Sequence, residues 1–220
     1  MNRPWRAHPR LAAAGTALLV LLAVLVVDPH LAGWAPYWKH PVLDAVVGVL
    51  NPVGAGVTLL VVCAALGTIA RRLRYSRLHD TAWLAALAFS SAGIVEFALK
   101  HLVSRARPDA EAASVALLGP AFVPDVDSFP SGHATSVFAV ATIFASAYPR
   151  LRRPLYALAA AIALGRVYLQ RHYFSDVLAG SLIGVVVAAW LLRHRYALPR
   201  WMVFTPTVEP PPRGQPLHDR

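Results

Sequence analysis

The sequence predicts an all-α, integral-membrane bundle of six helices, and three observations carry that prediction. Apolar residues make up 57% of the 220 and only 15% are charged, against about a quarter in ordinary soluble domains. Mean hydropathy is +0.50. A soluble core cannot use that much apolar surface, so the bilayer is the expected solvent. Next, six apolar stretches approach the roughly 20 residues that a helix needs to cross about 30 Å of hydrocarbon. Period-two alternation is absent, so helices rather than a closed barrel are expected to satisfy the backbone in lipid. Finally, the charge of the connections alternates along the chain.

In chain order, Arg3, Arg6 and Arg10 precede the first apolar stretch, residues 11–27. A basic start before 17 apolar residues has the outline of a secretory leader. The small–x–small cleavage pattern is missing around residues 27–35, where Asp28, Pro29 and Trp34 intrude, so a retained span is expected. The first outer loop, 28–51, offers Trp34, Tyr37 and Trp38 to the membrane interface, and its stretch 42–50 suits a segment lying on the surface. The second span is 52–70, containing Cys63, and Arg71, Arg72, Arg74 and Arg77 follow it. The third is 81–99, with Glu96 inside it. A long outer segment, 109–129, includes a mildly apolar part at 112–123 that suits a flap beside a lipid entrance. Spans four, five and six are 134–148, 155–168 and 177–192, with Arg150, Arg152 and Arg153 between the first two of these. One membrane domain, 1–204, is expected, followed by a disordered proline-rich tail, 205–220.

The formal charge of +10 would prompt thoughts of nucleic acid in a soluble protein. Its distribution removes that reading. With six spans, 15 of the 21 basic residues fall on one side, for net charges of +12 there and −1 opposite. By the positive-inside rule both termini are cytoplasmic. The single Cys63 excludes an intramolecular disulfide and a Cys-rich metal site, and packing is its expected role.

Ionisable groups at span ends that gather on one face are functional candidates. Three clusters meet at the outer face: Lys100 to Pro108 leaving span three, Ser128 to His133 entering span four, and Gly165 to Asp176 joining spans five and six. Their chemistry suits a phosphate. Lys100, Arg107 and Arg166 are three cations, and Pro108 biases Arg107 out of helical conformation so that its fork can turn into a cleft. Ser131 is placed to cap the next helix, and Gly132 permits close backbone approach to an anion at its N-terminus. His172 and Asp176 are four apart, one helical turn, so a carboxylate can fix the imidazole tautomer. His133 is a second imidazole, free to move protons. Glu96, four residues before Lys100, is expected to pair with it. Arg105, Arg171 and His101 read as rim or lipid-headgroup contacts.

The clusters match K-x6-R-P, P-S-G-H and R-x5-H-x3-D in order. Together they resemble the three-part signature of the type 2 phosphatidic acid phosphatase (lipid phosphate phosphatase) superfamily, with the signature region at about 81–192. Gly165 departs from the pattern, which has Ser there. The resemblance implies that His172 attacks phosphorus to give a phosphohistidine, oriented by Asp176. His133 would protonate the leaving oxygen and then activate water. Lys100, Arg107, Ser131, Gly132 and Arg166 would hold the phosphoryl oxygens, with no metal and no cofactor. The implied substrate is a lipid phosphate or diphosphate drawn from the bilayer, with undecaprenyl diphosphate preferred because the site faces outward. Phosphatidylglycerophosphate and phosphatidic acid are the alternatives within the class. A membrane anion transporter is the reading from a different class. It would more plausibly show repeated halves and polar groups at the midplane. The sequence sets no oligomeric state.

Overall fold

The computed structural model describes residues 26–109, 119–120 and 126–194. The expectations for the first span before residue 26, for the apolar part of the outer segment and for the tail lie outside the described residues.

Among the described residues the regular structure is helical. Residues 26–34 are helical (α1), followed by α2 (Pro41–Val53), α3 (Gly56–Arg72), α4 (Ser76–Val103), α5 (Gly132–Ala147), α6 (Arg152–Tyr168) and α7 (Phe174–His194). Among the described residues there are thus seven α-helices where six spans were expected, with α1 lying mostly in the expected outer loop. The helix α2 is formed from the stretch assigned to the membrane surface. It starts where Pro41 follows an N-cap, His40, whose ring accepts the Val42 N–H, and it ends at the Pro52–Gly54 break. From there α3 leaves at an angle of 57°. Proline and glycine within four residues account for that bend. Among the described residues only α4 and α7 are long and apolar enough to cross a membrane unaided, and the bent α2–α3 pair makes a third if it counts as one span.

At 28 residues, α4 is about 42 Å long. It stops where Ser104 takes up a left-handed conformation (φ 45°). The tightest crossing is that of α5 on α7, built on Gly180 and Gly184. A Cβ at Gly180 would lie 2.9 Å from Thr135 Oγ1, and one at Gly184 would press on the Thr135 carbonyl and lie 2.8 Å from the Ala139 nitrogen. Small residues spaced by four let two backbones touch, and packing with little side-chain bulk is what holds helices together in lipid. Ala85, Ala88, Ala92, Ala139 and Ala188 continue this close-packed core together with Cys63, which is buried as expected. Outward, Val57, Val61, Ile94, Phe97, Val186 and Trp190 are exposed, as suits an exterior solvated by hydrocarbon rather than water. The chain is a membrane protein. The crossing brings the starts of α5 and α7 together, with the Ser131 N–H donating to the Asp176 carbonyl at 3.0 Å.

Candidate active site

Immediately after α4, the chain carries Arg105 into the interior. Its side chain is fully buried, contrary to the rim position expected. Nη1 donates to Asp176 Oδ1 at 2.5 Å and to Ser175 Oγ at 2.7 Å, and Nη2 donates to Asp28 Oδ2 at 2.8 Å. The guanidinium also lies over the Tyr173 ring, 3.9 Å from its centroid. Asp28, expected in an outer loop, is buried, and its Oδ1 accepts the Ser175 N–H. A buried arginine between two carboxylates is how such charges become tolerable inside a protein. This network fixes the start of α7.

His172 sits in the turn before α7 rather than on the helix, so the expected one-turn contact with Asp176 opens to 3.9 Å. The partner of Nδ1 is instead the Ser128 carbonyl at 2.7 Å. A carbonyl only accepts, so Nδ1 carries the proton and Nε2 keeps its lone pair. Asp176 acts on this arrangement through its neighbours: Oδ2 accepts the Ser128 hydroxyl at 2.6 Å and the Tyr173 N–H at 2.8 Å. Burial first, and the Arg166 charge second, push the His172 imidazole down to about 3, outweighing the Ser128 hydrogen bond.

Around this imidazole the other two clusters assemble. Ser131 is at the N-cap position of α5, yet its hydroxyl makes no capping bond. That corrects the expected cap: Ser131 is tied in through its backbone N–H, which donates to the Asp176 carbonyl, and not through its hydroxyl. Ser131 Oγ, His133 Nε2 and Arg166 Nε, like Arg105 Nε, are buried with no hydrogen-bond partner among the described residues. Gly132 faces Glu96, whose Oε1 would be 3.1 Å from an added Cβ. The α2–α3 break lies against the His133 ring, where a Cβ on Gly54 would come within 3.1 Å of Cδ2. From the same break, Asn51 Oδ1 accepts a hydrogen bond from Arg166 Nη1. Glu96 pairs with Lys100 at 2.7 Å. Arg107 holds Asp127 through Nε at 2.8 Å and Nη2 at 3.0 Å, and Lys100 Nζ is 3.7 Å from the same carboxylate. Two imidazoles, three cations and a helix N-terminus thus share one end of the bundle, an arrangement suited to binding and transferring a phosphoryl group.

A family model described as PAP2 superfamily matches residues 81–200, more than half of the chain. The chain belongs to the PAP2 superfamily. Among curated relatives, a "Lipid A 1-phosphatase" of Rhizobium etli is 36% identical over 110 residues, 46% of this chain and 46% of the relative. A "Decaprenylphosphoryl-5-phosphoribose phosphatase" of Mycobacterium tuberculosis is 41% identical over 91 residues, 41% of this chain and 48% of the relative. The chain therefore spans just under half the length of these curated relatives. Of solved structures, a "transmembrane PAP2 type phosphatidylglycerolphosphate phosphatase from Bacillus subtilis" superposes with a TM-score of 0.64 at 22% identity, over 84% of this chain and 97% of that one. LpxE of Aquifex aeolicus gives 0.61 at 23% identity, over 76% and 95%. These two establish the fold.

The PAP2 signature residues named from sequence all lie in this cluster. Missed were Asn51, Asp28, the part played by Ser128 within its cluster, and the buried role of Arg105. Gly165 faces α2, where a Cβ would meet Val47 Cγ1 at 3.3 Å, so the residue found in place of Ser makes room for a helix that was not expected. Arg171 is exposed and paired with Asp109, and His101 is partly buried. Among the described residues no group of three His, Cys, Asp or Glu side chains is placed to hold a metal ion.

Proposed function

We propose that this protein is a membrane phosphatase that hydrolyses a lipid phosphate or diphosphate at the extracytoplasmic face through a phosphohistidine. One domain, residues 1–204, carries the activity, with both termini cytoplasmic. The observation that carries the reading is the fixed tautomer of His172: Nδ1–H is committed to the Ser128 carbonyl, leaving Nε2 as a neutral nucleophile within reach of the field of Lys100, Arg107 and Arg166. Nε2 bonds to phosphorus as the ester or anhydride oxygen leaves with a proton from His133. His133 then takes a proton from the water that breaks the N–P bond and releases phosphate. Asp176 holds the attacking loop through Ser128, Tyr173 and Arg105. Lys100, Arg107, Arg166, Ser131 and the Gly132 N–H hold the phosphoryl oxygens. Three cations supply the charge that a metal supplies elsewhere, so no metal is used.

The substrate we favour is a polyprenyl diphosphate such as undecaprenyl diphosphate, whose chain remains in the bilayer while its head enters between α4, α5, α6 and α7. Exposed apolar side chains on those helices, Ile94, Phe97, Leu164 and Val186 among them, support entry from the lipid side. The test is phosphate release from a panel of polyprenyl diphosphate, phosphatidylglycerophosphate, phosphatidic acid and lipid A, using purified protein in excess chelator. Release from polyprenyl diphosphate, abolished by His172→Ala, is expected. Failure on every lipid refutes the phosphatase, and a requirement for magnesium refutes the mechanism.

A further inference from the structure

We infer that Asp127 is an internal competitor for the phosphate cleft, a carboxylate that holds Arg107 and Lys100 until a phosphoryl group displaces it and that sets how weakly free phosphate is retained. This rests on the phosphatase reading and adds a residue outside the family signature to it.

Asp127 presents both carboxylate oxygens to Arg107, one to Nε and one to Nη2. That planar fork-on-fork geometry is the one arginine offers to a phosphate. Lys100 approaches the same Oδ2 at 3.7 Å. Two of the three cations proposed to hold phosphate are therefore engaged by one side chain, while the third, Arg166, has a neutral amide partner, Asn51.

The exposures indicate which partner can leave. The Asp127 side chain is 38% exposed, against 18% for Lys100 and 17% for Arg107. Rotating the carboxylate outward returns it to water, whereas withdrawing the cations would strip them of their surroundings. The next residue is fixed: the Ser128 N–H donates to the Arg105 carbonyl and its hydroxyl to Asp176. Asp127 can thus swing without disturbing the bond that sets the His172 tautomer. Glu96 does not compete in the same way. It holds Lys100 from within α4.

Burial would raise the Asp127 carboxyl, but the Arg107 hydrogen bond and the charges of Lys100 and Arg107 outweigh it and hold it below its ordinary value. It therefore stays ionised in the working range. A phosphoryl group wins the exchange by bringing more charge and a third oxygen, with Arg166 and the start of α5 as added partners. After hydrolysis, the returning carboxylate expels inorganic phosphate.

The test is orthophosphate binding by isothermal titration calorimetry to the full-length protein in detergent at pH 7.5. Asp127→Asn, which keeps the shape and removes the charge, should tighten orthophosphate by about tenfold or more, as the loss of a competing charge-assisted pair requires. Asp127→Ser should do the same, which separates charge from any strain in the first variant. Orthophosphate inhibition of turnover should tighten in parallel. Asp109→Asn, which removes the exposed partner of Arg171, should leave the affinity within about twofold. Affinity unchanged or weakened in both Asp127 variants overturns the inference even if wild-type protein is an active phosphatase. Tightening in a protein inactive on every lipid would instead retain the competitor and discard the catalytic reading.

Discussion

Arg105 and Arg107 stand two residues apart after the same helix and carry the same charge, yet they belong to different machines. Arg105 is sealed between Asp28 and Asp176 with no exposed surface, and Arg107 lies at a cleft against a carboxylate that reaches water. The difference shows how a membrane protein divides its scarce charges. One set is buried and paired with two carboxylates, and it holds the loop bearing His172. The other is paired with a partly exposed carboxylate, and in the proposed mechanism it is reassigned to a ligand. A buried pair that loses one partner leaves a bare charge behind, whereas a half-exposed pair lets water replace the loss.

The sharpest way to break the comparison is Arg105→Met. It leaves Asp28 and Asp176 facing each other without compensation and should cost about 3–5 kcal/mol of stability, read as a lowered unfolding midpoint in detergent. Phosphate release should vanish with it. A variant that stays as stable as the wild type would mean that Arg105 is a rim residue after all.

Arg107→Met should do the converse. Stability is expected to hold within about 1 kcal/mol, since its pair is partly exposed. Loss of one donor to the transition state should lower kcat by about a hundredfold or more. Single-turnover phosphate release alongside the unfolding midpoint separates the two effects. Equal losses in both variants would erase the distinction between scaffold and cleft.

That distinction was only half visible in the sequence. The three clusters named the cleft residues because their spacing from proline and glycine is local, and the apolar runs located α4 through α7. Arg105 was misread because its partners are remote: Asp28 is 77 positions away and Asp176 is 71, and nothing in the chain links them. A usable signal did exist, since an ionisable residue beside a span needs a partner, and neither Asp28 nor Arg105 had been given one. The α2–α3 break was also signalled, by Pro52 and Gly54, but an apolar run of span length conceals a bend. The Ser128 carbonyl had no signal, because every residue has one and only the fold selects which of them faces an imidazole.

Glu96→Gln tests the cleft more gently. The carboxylate pairs with Lys100 at 2.7 Å from one turn earlier, so its loss should leave the lysine in place but less firmly aimed. A drop in kcat/KM of about fivefold to tenfold is expected, on the scale of one partly exposed charged hydrogen bond, with the unfolding midpoint nearly unchanged. If turnover and orthophosphate inhibition both stay at wild-type values, Glu96 has no aiming role.

The smallest expected effect is an absence of titration, and it is the most direct reading of what the scaffold does for the proposed nucleophile. An imidazole in water protonates near 6.5, and a nucleophile with that value would fade about tenfold for each unit of acid below it. His172 is held down to about 3 by burial and then by Arg166. Its Nε2 lone pair should therefore persist through pH 4.5. The same shift sets the sign for stability. Between 6.5 and about 3 the unfolded chain binds a proton on this ring and the folded chain does not, so the His172 contribution to stability falls as pH falls through that window. Nitrogen-15 NMR of histidine-labelled protein, with His172→Ala to assign the signal, should show a neutral Nδ1–H tautomer that does not move between pH 7 and 4.5. A midpoint near 6.5 would place the ring in water, and the Ser128 carbonyl could then no longer be what fixes it.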